Sequence, residues 1–176
     1  TINHRILYNI KAMDPISNKK EFDDLTTNLR DLAYSYIEKY SPSRQQTKTY
    51  LLKKYLKKFQ GSRNKKDVSE IIDKIVMNLE KNHFLNDALY SDSKARVMFR
   101  RGYSLNKISY SLKSKGLDEK YIKLSIEKIK NDKSDPDFLS AIKICKRKRL
   151  GPMRPEGNRE LFYKKDMGIL ARSGFS

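Results

Sequence analysis

Phe84-Leu85-Asn86-Asp87-Ala88-Leu89-Tyr90, Arg100-Arg101-Gly102-Tyr103-Ser104 and Lys115-Gly116-Leu117-Asp118 punctuate the stretch from Phe84 to Ile129, and their reading decides the fold. Between these landmarks apolar residues recur at helical spacing: Ala88, Ala95 and Phe99, then Leu105, Ile108 and Leu112, then Ile122, Ile126 and Ile129. Gly102 and Gly116 stand where helices should stop, because glycine reaches the left-handed conformation that closes a last turn. Ser104 and Asp118 follow as N-caps, able to accept from the free backbone N–H groups of the next helix. Punctuation and periodicity together specify a three-helix unit.

The same plan continues on the N-terminal side. From Asp24 to Tyr40, a helix would carry Leu25, Leu29, Leu32, Ala33, Tyr36 and Ile37 on one stripe. Ser41-Pro42-Ser43 ends it, and Ser43 with Gln46 forms a capping box that starts a second helix running to about Phe59. The segment from Gln60 to Lys66 reads as a loop. Asp67 and Glu70 then form a second box ahead of Val68, Ile71, Ile72, Ile75, Val76 and Leu79, the cleanest apolar stripe in the chain. Tyr40-Ser41 and Tyr103-Ser104 mark the same junction in the two units, and His83 is placed at a helix C-terminus.

On the C-terminal side Asp135-Pro136-Asp137 opens a third unit, with Asp135 as N-cap, Pro136 at the first helical position and Asp137 near the positive helix end. Phe138, Ile142 and Cys145 are its expected inner face. Gly151 to Gly157, with Pro152 and Pro155, is irregular, and a helix resumes over Asn158 to Arg172 with Phe162, Ile169 and Leu170 inward. The fold class is therefore all-α, an elongated tandem array of three-helix repeats whose units bury faces that none could bury alone. The organisation expected is a flexible N-terminal arm over 1–22, repeat 1 over 23–83, repeat 2 over 84–131 and an incomplete repeat 3 over 132–176.

Composition narrows the function classes. Of the 176 residues 38% are hydrophobic and 34% charged, a thin apolar share that suits an array with much surface per residue. Lys and Arg number 39 against 21 Asp and Glu, and the resulting +18 favours polyanionic partners or acidic protein surfaces. Lysines that merely solvate helices account for many of these charges. Cys145 is the lone cysteine, which excludes an intramolecular disulfide, suits a reducing compartment and reads as a small core residue. His4 and His83 are far from each other and from Cys145, so no zinc-type spacing exists, and no Gly-rich phosphate loop occurs. The acidic pairs Asp23-Asp24 and Asp118-Glu119 sit at helix starts, where capping explains them. A non-enzyme without cofactor or metal is expected. No apolar run approaches the ~20 residues that span a bilayer, so the expectation is a cytoplasmic protein without membrane contact.

The candidate partner- or DNA-binding residues are Arg96, Arg100 and Arg101 at one helix end, Lys107, Lys113 and Lys115 in the next, and the dense run Lys146, Arg147, Lys148, Arg149 and Arg154. Arginine is the better anchor, since its planar fork binds carboxylate or phosphate bidentately. The competing reading is a solvated face with cations complementing helix C-termini. Tyr36, Tyr40 and Tyr50 could stack bases, but their helical spacing beside apolar stripes favours packing between helices.

The ordered set Phe84-Leu85-Asn86-Asp87-Ala88, Arg100-Arg101-Gly102-Tyr103-Ser104, Ile108, Leu112 and Lys115-Gly116-Leu117-Asp118 resembles the central repeat of the RecX family. Tyr36-Ile37-Glu38-Lys39-Tyr40 followed by Ser41-Pro42-Ser43-Arg44 is similar to that family's first repeat. The resemblance implies a non-catalytic, monomeric regulator that lies in the groove of RecA nucleoprotein filaments, meets nucleic acid there, and limits filament growth, ATPase, strand exchange and coprotease activity. It also implies a further helix after Ser173-Gly174-Phe175-Ser176, so the third repeat is expected to be truncated. Two other readings stand beside it: a direct nucleic-acid-binding module of helix-turn-helix type that needs no RecA, and a helical scaffold for some other protein.

Overall fold

Three apolar stripes meet in the first core. In the computed structural model, which describes residues 15–59 and 65–175, α1 spans Pro15–Tyr40, α2 Arg44–Phe59 and α3 Lys65–Lys81. Leu25, Leu29 and Ala33 of α1 close on Leu51 and Tyr55 of α2, and all six stripe positions of α3 from Val68 to Leu79 are buried against them. α1 begins at Pro15, ahead of Asp24 and inside the segment read as an arm; proline's fixed φ and missing N–H suit a first helical position. Residues 1–14, most of the expected arm with His4, and residues 60–64, within the expected loop, lie outside the described residues. Because α3 starts at Lys65, Asp67 falls within its first turn and is not the N-cap of the expected box. There it faces the positive end of the helix.

The second core has the same construction. α4 spans Asp87–Arg100, α5 Leu105–Lys113 and α6 Glu119–Asp132. Ala95 and Phe99, then Leu105, Ile108 and Leu112, then Ile122 and Ile129 are buried together, with Ile126 partly so. Ala88 is exposed, contrary to expectation, and the inward row of α4 is Ser91, Ala95 and Phe99. The cause is where α6 starts. The Ser91 and Ser125 hydroxyls lie 2.8 Å apart and both reach the Tyr121 carbonyl, so these small side chains bring α4 and α6 together near the first turn of α6. Ala88, one turn earlier on α4, projects past that turn. Asp118 occupies the N-cap position of α6 without a side-chain capping bond, so the start of α6 rests on buried Leu117 and the Gly116 turn instead.

In the third unit, α7 spans Pro136–Lys148 and α8 Glu156–Arg172, joined through a short 3-10 turn at Gly151–Met153. Its buried face is Ser140 and Ile144 with Leu150, whereas Phe138 is 60% exposed and Ile142 and Cys145 are half-buried. The neighbouring unit sets this line. Gly102 has φ 82, and a Cβ there would stand 2.9 Å from the Ser140 carbonyl oxygen and 3.0 Å from the Ile144 nitrogen, so its backbone lies directly on α7. No strand occurs among the described residues, and the chain is all-α.

Contacts at the unit boundaries recur. Asp87 Oδ1, in the first turn of α4, accepts from the Arg44 N–H at 2.8 Å, and Asp137 Oδ1, in the first turn of α7, accepts from the Leu105 N–H at 2.8 Å. Ser43 Oγ donates to the Lys115 carbonyl at 3.3 Å, and the Ser104 N–H donates to the Ser173 carbonyl at 3.1 Å. Thus the N-termini of α2 and α5 are each held twice by the segment that follows. The turns match too: Gly116 and Gly174 have φ 73 and 95, and Leu117 and Phe175 donate back to Leu112 and Leu170 at 3.4 and 3.2 Å. The corresponding N-caps are the buried Ser43 and Ser104, which refines the Tyr-Ser register read from the sequence.

Candidate interaction surface

α4 carries cations on two sides. Arg96 and Arg100, one turn apart, face the groove between α4, α6 and α7, a space of about 390 Å³ into which Lys133 and Lys143 also turn. Arg96 is engaged there: its Nε lies 3.2 Å from Asp92 and its Nη1 3.4 Å from Asp132, and the bond to Asp92 holds its guanidinium above its ordinary range. Lys143 sets its ammonium 4.2 Å over the Phe99 ring. Arg100 remains exposed.

The other side gathers Lys94, Arg101 and Lys115. Lys94 lies on α4 and Arg101, two turns later, is its C-cap, and the Lys115 ammonium reaches the Tyr90 hydroxyl at 3.3 Å. Lys115 above all, then partial burial and Arg101, push the Lys94 amine below its usual range. Like charges are therefore held near one another, and among the described residues none of the three is paired with a carboxylate. The remaining candidates scatter. Lys113 lies in the α5–α6 groove with Glu119, while Lys107 is half-buried against the Gly174 turn. Lys146, Arg147, Lys148 and Arg149 are all exposed around the end of α7, and Arg149 takes φ 52 as its left-handed cap.

Arg154 is an internal strut. Its Nε and Nη2 each lie 2.6 Å from an oxygen of buried Asp166, its guanidinium sits 4.5 Å over the Phe162 ring, and the Gly151 N–H donates to the same carboxylate at 2.8 Å. This fork holds the Asp166 carboxyl down at about 2. The tyrosines pack as their spacing indicates: the Tyr36 and Tyr50 rings lie 4.0 Å apart and nearly parallel at 5°. The sequence reading passed over Lys94 and Lys133, and took Lys143 only as a cation near the end of α7. Only Lys94 offered a signal, its two-turn spacing from Arg101.

Comparison with known proteins supplies the family. Over 154 residues the chain is 30% identical to the "Regulatory protein RecX" of Myxococcus xanthus (strain DK1622), a match covering 85% of this chain and 80% of that protein. The chain belongs to the RecX family. No family model and no solved structure matches it. The RecX relative bears the name of a regulatory protein and not of an enzyme, so a regulatory role holds at family level. Among the described residues no helix is long and apolar enough to cross a membrane, and no cluster of His, Cys, Asp and Glu could hold a metal ion.

Proposed function

We propose that the chain modulates RecA, mainly as an inhibitor, by binding in the groove of RecA nucleoprotein filaments and limiting filament growth, ATPase and strand exchange. Membership of the RecX family is the observation that carries this reading. Two physical features support it. Successive units are coupled by the paired contacts at Arg44 and Leu105, which suits a ligand that must follow a long groove. Exposed cations at the C-terminal ends of α4 and α7, Arg100 and Arg101 and the run Lys146 to Arg149, with half-buried Lys115 after α5, are offered to an acidic protein surface or to phosphate within the filament. Arg96 and Arg154, bound to carboxylates of their own chain, act here as supports for those surfaces.

The test compares inhibition of RecA-dependent ATP hydrolysis by the wild type and by the Arg96→Ala, Arg100→Ala, Arg101→Ala triple variant. The expected result is weakened inhibition with unchanged helicity, and full activity of the variant would remove these three arginines from the contact surface. The helix-turn-helix reading is distinguished by strong binding to bare DNA without RecA, falling steeply with salt as counterions are released.

A further inference from the structure

Beside the cations of α4 lies an apolar groove. Where α1 ends and α4 begins, the Ser41-Pro42 junction and the His83-Phe84 turn enclose a space of about 580 Å³. Ile37, Pro42, Leu89 and Val97 form its walls, with Tyr40 and Tyr90 beside them. Leu89 is 66% exposed, Tyr40 58% and Phe84 51%, a contiguous apolar surface of the kind that marks an interaction site. Local structure forces the exposure of Leu89. Asn86 caps α4 by accepting from the Leu89 N–H at 2.9 Å, and the inward row begins only at Ser91, so position 89 faces out.

Charge identifies the occupant. No carboxylate lines the groove among the described residues, while Lys94 does, next to Arg101 and Lys115, and none of the three has a carboxylate partner there. We propose that this groove docks an acidic protein segment bearing an apolar anchor: a Leu or Phe side chain seats against Leu89, Val97 and Pro42, and carboxylates flanking it meet Lys94, Arg101 and Lys115. A nucleobase is a poorer fit, because the walls are aliphatic and the aromatic rings nearby are partly engaged by neighbours already. Tyr36 is stacked on Tyr50, Phe84 meets Tyr34 edge-on with centroids 5.2 Å apart, and Lys115 lies over Tyr90 at 5.9 Å. A second copy of this chain is disfavoured by the repulsion between two molecules of charge +18. On the RecA-directed reading the segment belongs to the recombinase, and the proposal rests on that reading for the partner's identity alone.

The experiment uses the full chain and a short fluorescent peptide with a Leu-Phe pair between runs of Glu, followed by anisotropy. Leu89→Ser and Lys94→Glu are the variants, with helicity checked by circular dichroism. Each is expected to weaken peptide binding by about tenfold or more, as is replacing Leu-Phe in the peptide by Ser-Ser. Oligothymidylate binding by the Leu89→Ser variant should change by less than about twofold. Equal affinity of the two peptides, or of Leu89→Ser and the wild type, would overturn the proposal. So would a parallel loss of oligothymidylate binding, which would make the groove a nucleic-acid site, or a wild-type self-association abolished by Leu89→Ser in sedimentation. Wild-type chain that binds the peptide in the expected way yet leaves RecA ATP hydrolysis untouched defeats the RecA reading and not the groove. Inhibition of RecA together with indifference of the peptide to Leu89 does the reverse.

Discussion

Asp166 is 3% exposed on a helix with almost no apolar face, and it shows how the third unit holds together. Its carboxylate gathers the Arg154 fork and the Gly151 N–H, tying α8 to the turn that follows α7. The folded carboxyl is held at about 2 against ~3.9 when unfolded, so its contribution is present in full above about pH 4 and is lost as the pH falls toward 2. An acid titration followed by circular dichroism should show helix loss within that window, and Asp166→Asn should lower the melting temperature at neutral pH and flatten the acid limb. Gly102 tests backbone placement. Gly102→Ala must hold an L-residue at φ 82 and push its Cβ against the α7 backbone, and should cost about 2 kcal/mol or more in urea unfolding. Gly151, at φ 50 with nothing within 4 Å of its would-be Cβ, should lose only about 1 kcal/mol on the same change.

Between elements, the contacts at the unit boundaries pair a charged hydrogen bond at a helix start with a neutral one. Asp137→Ala removes the acceptor for the Leu105 N–H and should cost about 1–2 kcal/mol, with faster amide exchange at the start of α5 and along α7. Slow exchange at both places in the variant would show that the boundary is held by something else. These elements also show what the sequence could disclose. The α3 stripe and the Ser43–Gln46 box are local patterns, and both formed as read: Ser43 N–H donates to Gln46 Oε1 at 3.1 Å and Gln46 N–H to Ser43 Oγ at 3.3 Å. The inner face of α7 was misread because the Gly102 backbone, and not the amphipathicity of α7 itself, selects Ser140 and Ile144. The charges were legible as content, and as pairing only where it is local, as for Asp92 and Arg96 one turn apart. Asp132 and Asp166, which engage Arg96 and Arg154, come close only through α6 and α8.

At the scale of the whole molecule, the +18 charge and the coupled units act together. Charge alone gives bare-DNA binding that falls steeply as salt rises, whereas arginine forks and a seated apolar anchor are screened far less. Replacing Arg100 and Arg101 by Ala should therefore reduce inhibition of RecA at every salt concentration, while the residual bare-DNA affinity follows salt as in the wild type. The most direct test of RecA regulation is RecA-dependent ATP hydrolysis on single-stranded DNA with the chain added well below one copy per RecA, at salt where its own binding to that DNA is weak. The account predicts clear suppression. Undiminished hydrolysis up to equimolar addition, with the chain folded by circular dichroism, would contradict it.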